Sequence, residues 1–258
     1  AAEDQIVHDA EYYVLEAQHG EEWAAEDTAL QAKLDELKKK HGRPPNLIHI
    51  MWDDTAFGDV GIPAIQKVRG LTTPSINRLA EEGILFTRMY TEVGCTPSRA
   101  AVVTGRHPIR NGMYNIGMLL ESHGMRGEEV TMAEVLSKAG YNTAFHGKWH
   151  LGDIEESYPH NQGFDEAFFT GYNQILSLNT KLAEGANASI GLHEDMLPAD
   201  PYKLDDSFVT KGWVMIAEGK KGEKTKQWGD NSHDTYMKID PEAQKRTLDF
   251  IERSAKDG

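Results

Sequence analysis

Cys95-Thr96-Pro97-Ser98-Arg99-Ala100-Ala101-Val102-Val103-Thr104-Gly105-Arg106 is the stretch from which the rest of the chain is read, and it holds the only cysteine in 258 residues. Thr96 is suited to cap a helix and Pro97 to its first position. Small and apolar residues then carry the helix to Gly105. Cys95 is thereby predicted just ahead of a helix N-terminus, where unpaired backbone N–H groups favour an anion. Arg99 lies one turn further on and can reach back to the same point. Ile84-Leu85-Phe86-Thr87-Arg88-Met89-Tyr90-Thr91 reads as a strand feeding this turn, the strand–turn–helix context of a nucleophile elbow. A lone cysteine is most often a small buried hydrophobe, so its neighbours have to decide.

Working outward, Leu47-Ile48-His49-Ile50-Met51-Trp52 reads as a buried strand ending in Asp53-Asp54. In open α/β sheets the ligand crevice lies at the carboxyl ends of strands. Adjacent carboxylates there repel unless a cation or a hydrogen-bond network holds them, and hard oxygen donors suit Ca²⁺ or Mg²⁺. For an isolated Asp-Asp, a capped turn with one solvated carboxylate is the default. Thr73-Pro74-Ser75 opens a short helix closed by Gly83, and Thr131-Met132-Ala133-Glu134 has the capping-box pattern for another, ending before Gly140. Tyr141 to His146 reads as a strand, followed by Gly147-Lys148-Trp149-His150-Leu151-Gly152. On an extended backbone Lys148 and His150 share one side and Trp149 takes the other. A lysine offers a point charge to an anionic oxygen, and a histidine offers proton transfer near neutral pH.

Taken together, Cys-x-Pro-Ser-Arg followed by Thr-Gly-Arg, the Asp53-Asp54 pair about forty residues upstream and the Gly-Lys-Trp-His-Leu-Gly block resemble the sulfatase family. Gly163-Phe164-Asp165-Glu166-Ala167-Phe168-Phe169 also looks like that family. The resemblance runs from about Pro45 to about Gly171. It implies an α/β, alkaline-phosphatase-like sandwich, with a largely parallel central sheet flanked by helices on both faces and incomplete relative to the family. It also implies that Cys95 is oxidised to formylglycine, whose hydrated aldehyde attacks sulfur and then expels sulfate, with Asp53, Asp54 and the residue at 95 on Ca²⁺ or, alternatively, Mg²⁺. Arg99 would steady the modified residue, Lys148 would contact the sulfate, and His150 would hydrogen-bond the diol and shuttle its proton. The activity implied is hydrolysis of a sulfate ester, on a small molecule or a glycan. The alternatives are a phosphate or phosphonate monoester hydrolase of the same superfamily, or a non-catalytic sulfatase-like fragment.

The family's later Asp-Asn pair, histidine and lysine have no convincing counterpart here. Asp230-Asn231 follows Lys224-Thr225-Lys226-Gln227-Trp228, which is not the apolar strand that should deliver such a pair. The chain therefore reads as the amino-terminal part of a sulfatase, with a complementing C-terminal segment as its expected partner. Residues 1–44 are expected to form an extension with one helix from Asp27, with Leu30, Leu34 and Leu37 on a packed stripe, and residues 45–258 the start of the catalytic domain. A net charge of −14 argues against a nucleic-acid partner, because a polyanion needs a basic face. No apolar run is long enough to span a bilayer. The Ala-Ala-Glu-Asp start suits a mature end after signal-peptide removal, hence a periplasmic or secreted location, and suits a fragment boundary equally. Asn187-Ala188-Ser189 has the glycosylation pattern, carries little weight, and His107, Arg110 and His123 receive no role.

Overall fold

The computed structural model describes residues 10–62, 70–117, 124–172, 216–229, 235 and 237–257. Asn187, His123 and the Asp230-Asn231 pair lie outside these residues. The chain divides after Trp52 into an N-terminal unit and a larger unit, Asp53–Asp257.

In the first unit a single helix, α1, runs Ala10–His41. It begins well before the expected Asp27. Ala, Glu, Gln and Leu dominate those earlier turns, and such residues favour a helix without any apolar stripe. Contacts one turn apart support it, including Tyr12 to Glu16 at 3.3 Å and Gln31 to Asp35 at 2.8 Å. The helix stops where Gly42 takes φ +77° and its N–H reaches Lys38 O at 2.7 Å. Leu30, Leu34 and Leu37 are exposed rather than packed. Leu47–Trp52 is not a strand, and Leu47, Ile48 and Ile50 are more than 60% exposed. An apolar run becomes a strand only where a second backbone pairs with it, and none does so among the described residues.

The larger unit is built on a four-stranded sheet ordered β1 (Ala144–Lys148), β2 (Glu166–Thr170), β3 (Ile216–Lys220) and β4 (Lys226–Gln227). β1 and β2 are parallel, with Lys148 opposite Thr170, and β3 and β4 add in antiparallel fashion. Alternation along the strands sorts side chains to two faces. Phe145, Ala167, Phe169 and Ala217 enter the core with Trp149, Leu151, Tyr158, Met113 and Met125. Ala100 and Val103 of helix α3 (Cys95–Thr104) join them, so α3 backs this face. His146 and Phe168 point the other way. There the last helix of the chain (Ile239–Asp257) meets them, with Thr247 at 3.0 Å from His146 and the Arg246 guanidinium 4.6 Å above the Phe168 ring. Helices thus cover both faces of a mixed α/β sheet.

Two expectations fail locally. Ile84–Thr91 forms no strand, and Ile84, Phe86, Met89 and Tyr90 are exposed, again with no pairing strand among the described residues. Thr96 and Pro97 lie within the first turn of α3, whose cap is Gly94. Elsewhere the local signals hold. Helix α2 (Pro74–Glu82) follows Thr73 and stops at Gly83, and a short α4 (Pro108–Asn111) follows Arg106. Helix α5 (Met132–Lys138) carries the capping box: Thr131 Oγ1 accepts from Glu134 N at 3.2 Å, and Glu134 Oε2 accepts from Thr131 N at 2.8 Å. The same buried hydroxyl donates to Gln162 O at 2.7 Å. Thr131→Val keeps the volume and removes both roles. The expected result is a loss of about 1–2 kcal/mol, read as a lower midpoint in thermal or urea denaturation; an unchanged midpoint would show the box to be energetically idle.

Candidate active site

The carboxyl end of β1 and the amino end of α3 meet at one place. The ladder between β1 and β2 continues past the strand ends, with Trp149 N donating to Thr170 O at 3.0 Å and His150 N to Gly171 O at 3.1 Å. Trp149 is buried in the core, which anchors its two neighbours on the opposite side. His150 is not extended as the alternation expects: it holds φ +59°. Such a left-handed conformation costs a non-glycine residue of order 1 kcal/mol and persists where surrounding contacts over-determine it. It nevertheless leaves the imidazole among the charges of Lys148, Arg99 and Asp53.

Those three charges form the centre of the site. Lys148 Nζ donates to Asp53 Oδ2 at 2.5 Å, and Arg99 Nη2 lies 3.6 Å from Asp53 Oδ1. Arg99 Nη1 donates to Lys148 O at 2.6 Å, so α3 and β1 are tied through the guanidinium. Arg99 is 7% exposed and its buried Nε has no hydrogen-bond partner among the described residues. Burial pushes the Arg99 guanidinium down from its ordinary value, against the charges of Asp53 and Cys95. Burial works to raise the Asp53 carboxyl, but Lys148 and Arg99 outweigh it and hold the group below the usual carboxylate range. Cys95 is a free, half-buried thiol at the first position of α3. Two cations against one carboxylate, beside a helix N-terminus, make a locally positive place in an acidic chain and favour an oxyanion.

His150 is 3% exposed. Its Nε2 lies 2.9 Å from Gly117 O; a carbonyl only accepts, so Nε2 carries the proton. Nδ1 is buried with no hydrogen-bond partner among the described residues. Burial pushes the ring down to about 4, with Lys148 and Arg99 acting the same way against the Gly117 contact and Asp53. At neutral pH it is a neutral imidazole whose Nδ1 can accept.

Asp54 sits at φ +50° and is exposed. With Asp53 it offers the right kind of donor for a hard cation, but too few. No group of three or more His, Cys, Asp and Glu residues suited to a metal occurs among the described residues, and both Asp53 oxygens already face Lys148 and Arg99. These residues alone do not make a cation site. The end of the cysteine block is structural: Gly105 closes α3 at φ +66°, and Arg106 binds both oxygens of Glu129 at 2.8 and 3.0 Å. Gly117 and Tyr172, which flank His150, were not singled out by the sequence. Gly117 acts through its backbone, and the Tyr172 ring packs edge-to-face with the imidazole, centroids 5.2 Å apart; no local pattern announces either.

A sheet with this cluster at its strand ends defines the class: the chain belongs to the sulfatase family, whose family model matches residues 45–242. It is 48% identical to arylsulfatase A of Homo sapiens over 127 residues, which is 47% of this chain and 24% of that protein. To steryl-sulfatase of Homo sapiens it is 38% identical over 160 residues, 57% of this chain and 27% of that one. The fold matches the crystal structure of PsFucS1 sulfatase from Pseudoalteromonas sp. with a TM-score of 0.70 and 29% identity, covering 90% of this chain and 45% of that one. The alkaline-phosphatase-like α/β fold is therefore present in part, and the chain spans about a quarter of the length of these curated relatives. No helix among the described residues is long and apolar enough to cross a membrane.

Proposed function

We propose that this chain is the amino-terminal catalytic part of a sulfatase that hydrolyses a sulfate ester of a small molecule or glycan. The observation that carries the reading is the convergence of Asp53, Arg99 and Lys148, far apart in sequence, beside Cys95 at the start of α3. In this reading Cys95 is the residue converted to formylglycine, which supplies a hydrated aldehyde as nucleophile and a route to expel sulfate. Arg99, fixed by Lys148 O, orients position 95 and offsets its developing negative charge. Lys148 offers its ammonium to a sulfate oxygen, and His150 accepts a proton or hydrogen bond at Nδ1. Asp53 and Asp54 would serve a divalent cation, Ca²⁺ or Mg²⁺, whose remaining ligands lie outside the described residues. A complementing C-terminal segment would supply them, and residues 1–44 would stand apart as an extension.

The shortage of metal donors among the described residues favours a second reading for this segment on its own: a sulfatase-like fragment without turnover. The test compares hydrolysis of an aryl sulfate and an aryl phosphate by the whole protein that contains residues 1–258. We expect kcat/KM for the sulfate to lead by about 10²-fold or more. A lead for the phosphate would move the protein to the phosphate or phosphonate ester hydrolases of the superfamily, and turnover of neither would support the non-catalytic reading.

A further inference from the structure

We propose that Thr96, the residue after the candidate nucleophile, is a positioning residue that fixes the tautomer of His150 through the backbone of Gly117. This rests on the reading of His150 given above. Thr96 is fully buried, and its Oγ1 accepts the Gly117 N–H at 3.0 Å. Gly117 in turn offers its carbonyl to His150 Nε2 at 2.9 Å. Gly117 thus faces α3 with its N–H and the end of β1 with its C=O, through two adjacent peptide units that share its Cα, so the hydroxyl holds the residue whose carbonyl meets the ring. With the Nε2 proton committed to Gly117, the lone pair of a neutral ring must sit on Nδ1. That atom is buried and has no partner among the described residues.

Two further contacts confine the ring. The Tyr172 edge packs against it at 5.2 Å between centroids, and Tyr172 Oη donates to Asp153 Oδ2 at 3.3 Å. The backbone of His150 is fixed by Gly171 O at 3.1 Å. These hold the plane and position of the imidazole but say nothing about its proton. Among the described residues only the Gly117 carbonyl does that, and Thr96 anchors the Gly117 amide. Helix α3 therefore carries three functions on its first turn and a half: the nucleophile at 95, the tautomer anchor at 96 and the guanidinium at 99. The hydroxyl immediately after the cysteine serves this role and does not cap α3, which begins after Gly94 with no side-chain capping hydrogen bond.

The experiment reads the tautomer directly, by ¹⁵N chemical shifts of the His150 ring in the whole protein, alongside steady-state kinetics. In the unsubstituted protein the Nε2–H form is expected alone. Thr96→Val, which keeps the shape and removes the acceptor, is expected to give a mixture of tautomers and to lower kcat about 10²-fold at little-changed KM. Thr96→Ser is expected to restore both. An unchanged His150 tautomer in Thr96→Val overturns the proposal whatever the activity. If Thr96→Val does not fold, exchange of the Gly117 amide in the unsubstituted and Thr96→Ser proteins decides. Protection in both supports the anchor, and exchange at the unprotected rate overturns it. A tautomer that shifts as expected in a protein without any sulfatase turnover would leave the anchor standing and remove the catalytic reading instead.

Discussion

Cys95→Ala is expected to abolish sulfate ester hydrolysis in the whole protein, with a fall of about 10⁵-fold or more in kcat. Position 95 is the first residue of α3 and its side chain is half-buried, so the substitution removes little packing. The Arg99 anchor to Lys148 O and the Lys148–Asp53 pair do not involve the sulfur. Binding of a sulfate by the surviving cations is then expected to persist, so KM changes far less than kcat. A mutant that loses a bond-forming atom while keeping its electrostatics shows this split. The companion measurement is the mass of the peptide that contains position 95. Exchange of sulfur and two hydrogens for one oxygen lowers it by roughly 18 Da, unlike the gain of oxygen in ordinary thiol oxidation. Turnover retained in Cys95→Ala would sink the nucleophile assignment. An intact thiol in a protein that turns over would sink the formylglycine assignment alone.

The parts of this structure that the sequence announces are those set by a few adjacent residues. Thr131 and Glu134 cap one another across a single turn, and Gly105 ends α3 because a left-handed residue is needed there. β1 is legible, displaced from Tyr141–His146 to Ala144–Lys148, because its parallel partner β2 and the core side chains Trp149 and Phe169 lie close by in the sequence. Leu47–Trp52 and Ile84–Thr91 have equal apolar character and are not strands here. Their reading depends on a partner backbone, which is not a property of the run itself. The site divides the same way. Asp53, Arg99 and Lys148 carry charge and stand in recognisable blocks, and the structure brings them within 4 Å of one another in pairs. His150 reaches them through a positive φ that alternation does not anticipate. Gly117 holds the imidazole by a carbonyl, a group every residue owns, so its sequence carries no signal of the role.

Stability is expected to fall as pH drops from about 6.5 toward 4, because three histidines are folded in their neutral form. Burial lowers His146, with Arg246 and Arg253 adding to it and Glu166 opposing. Burial also lowers His160, against Glu155 and Glu223. His150 is pushed furthest, from 6.5 to about 4. Between the folded and unfolded values the unfolded chain binds more protons, so stability rises with pH there. The contribution is complete above the unfolded value near 6.5 and is lost as the solution is acidified through that window. At roughly 1.4 kcal/mol per pH unit, His150 alone accounts for about 3 kcal/mol. Asp53, held below the usual carboxylate range, loses its pairing with Lys148 and Arg99 only at lower pH and continues the same trend. Urea denaturation at pH 7.5 and 5.0 checks this, and His150→Gln assigns it. Glutamine can still donate an N–H to Gly117 O but does not titrate, so the variant should show a shallower pH dependence than the parent while remaining catalytically impaired. Equal pH slopes in parent and variant would mean that the folded imidazole titrates as it does in the unfolded chain, and burial would then not be holding His150 neutral.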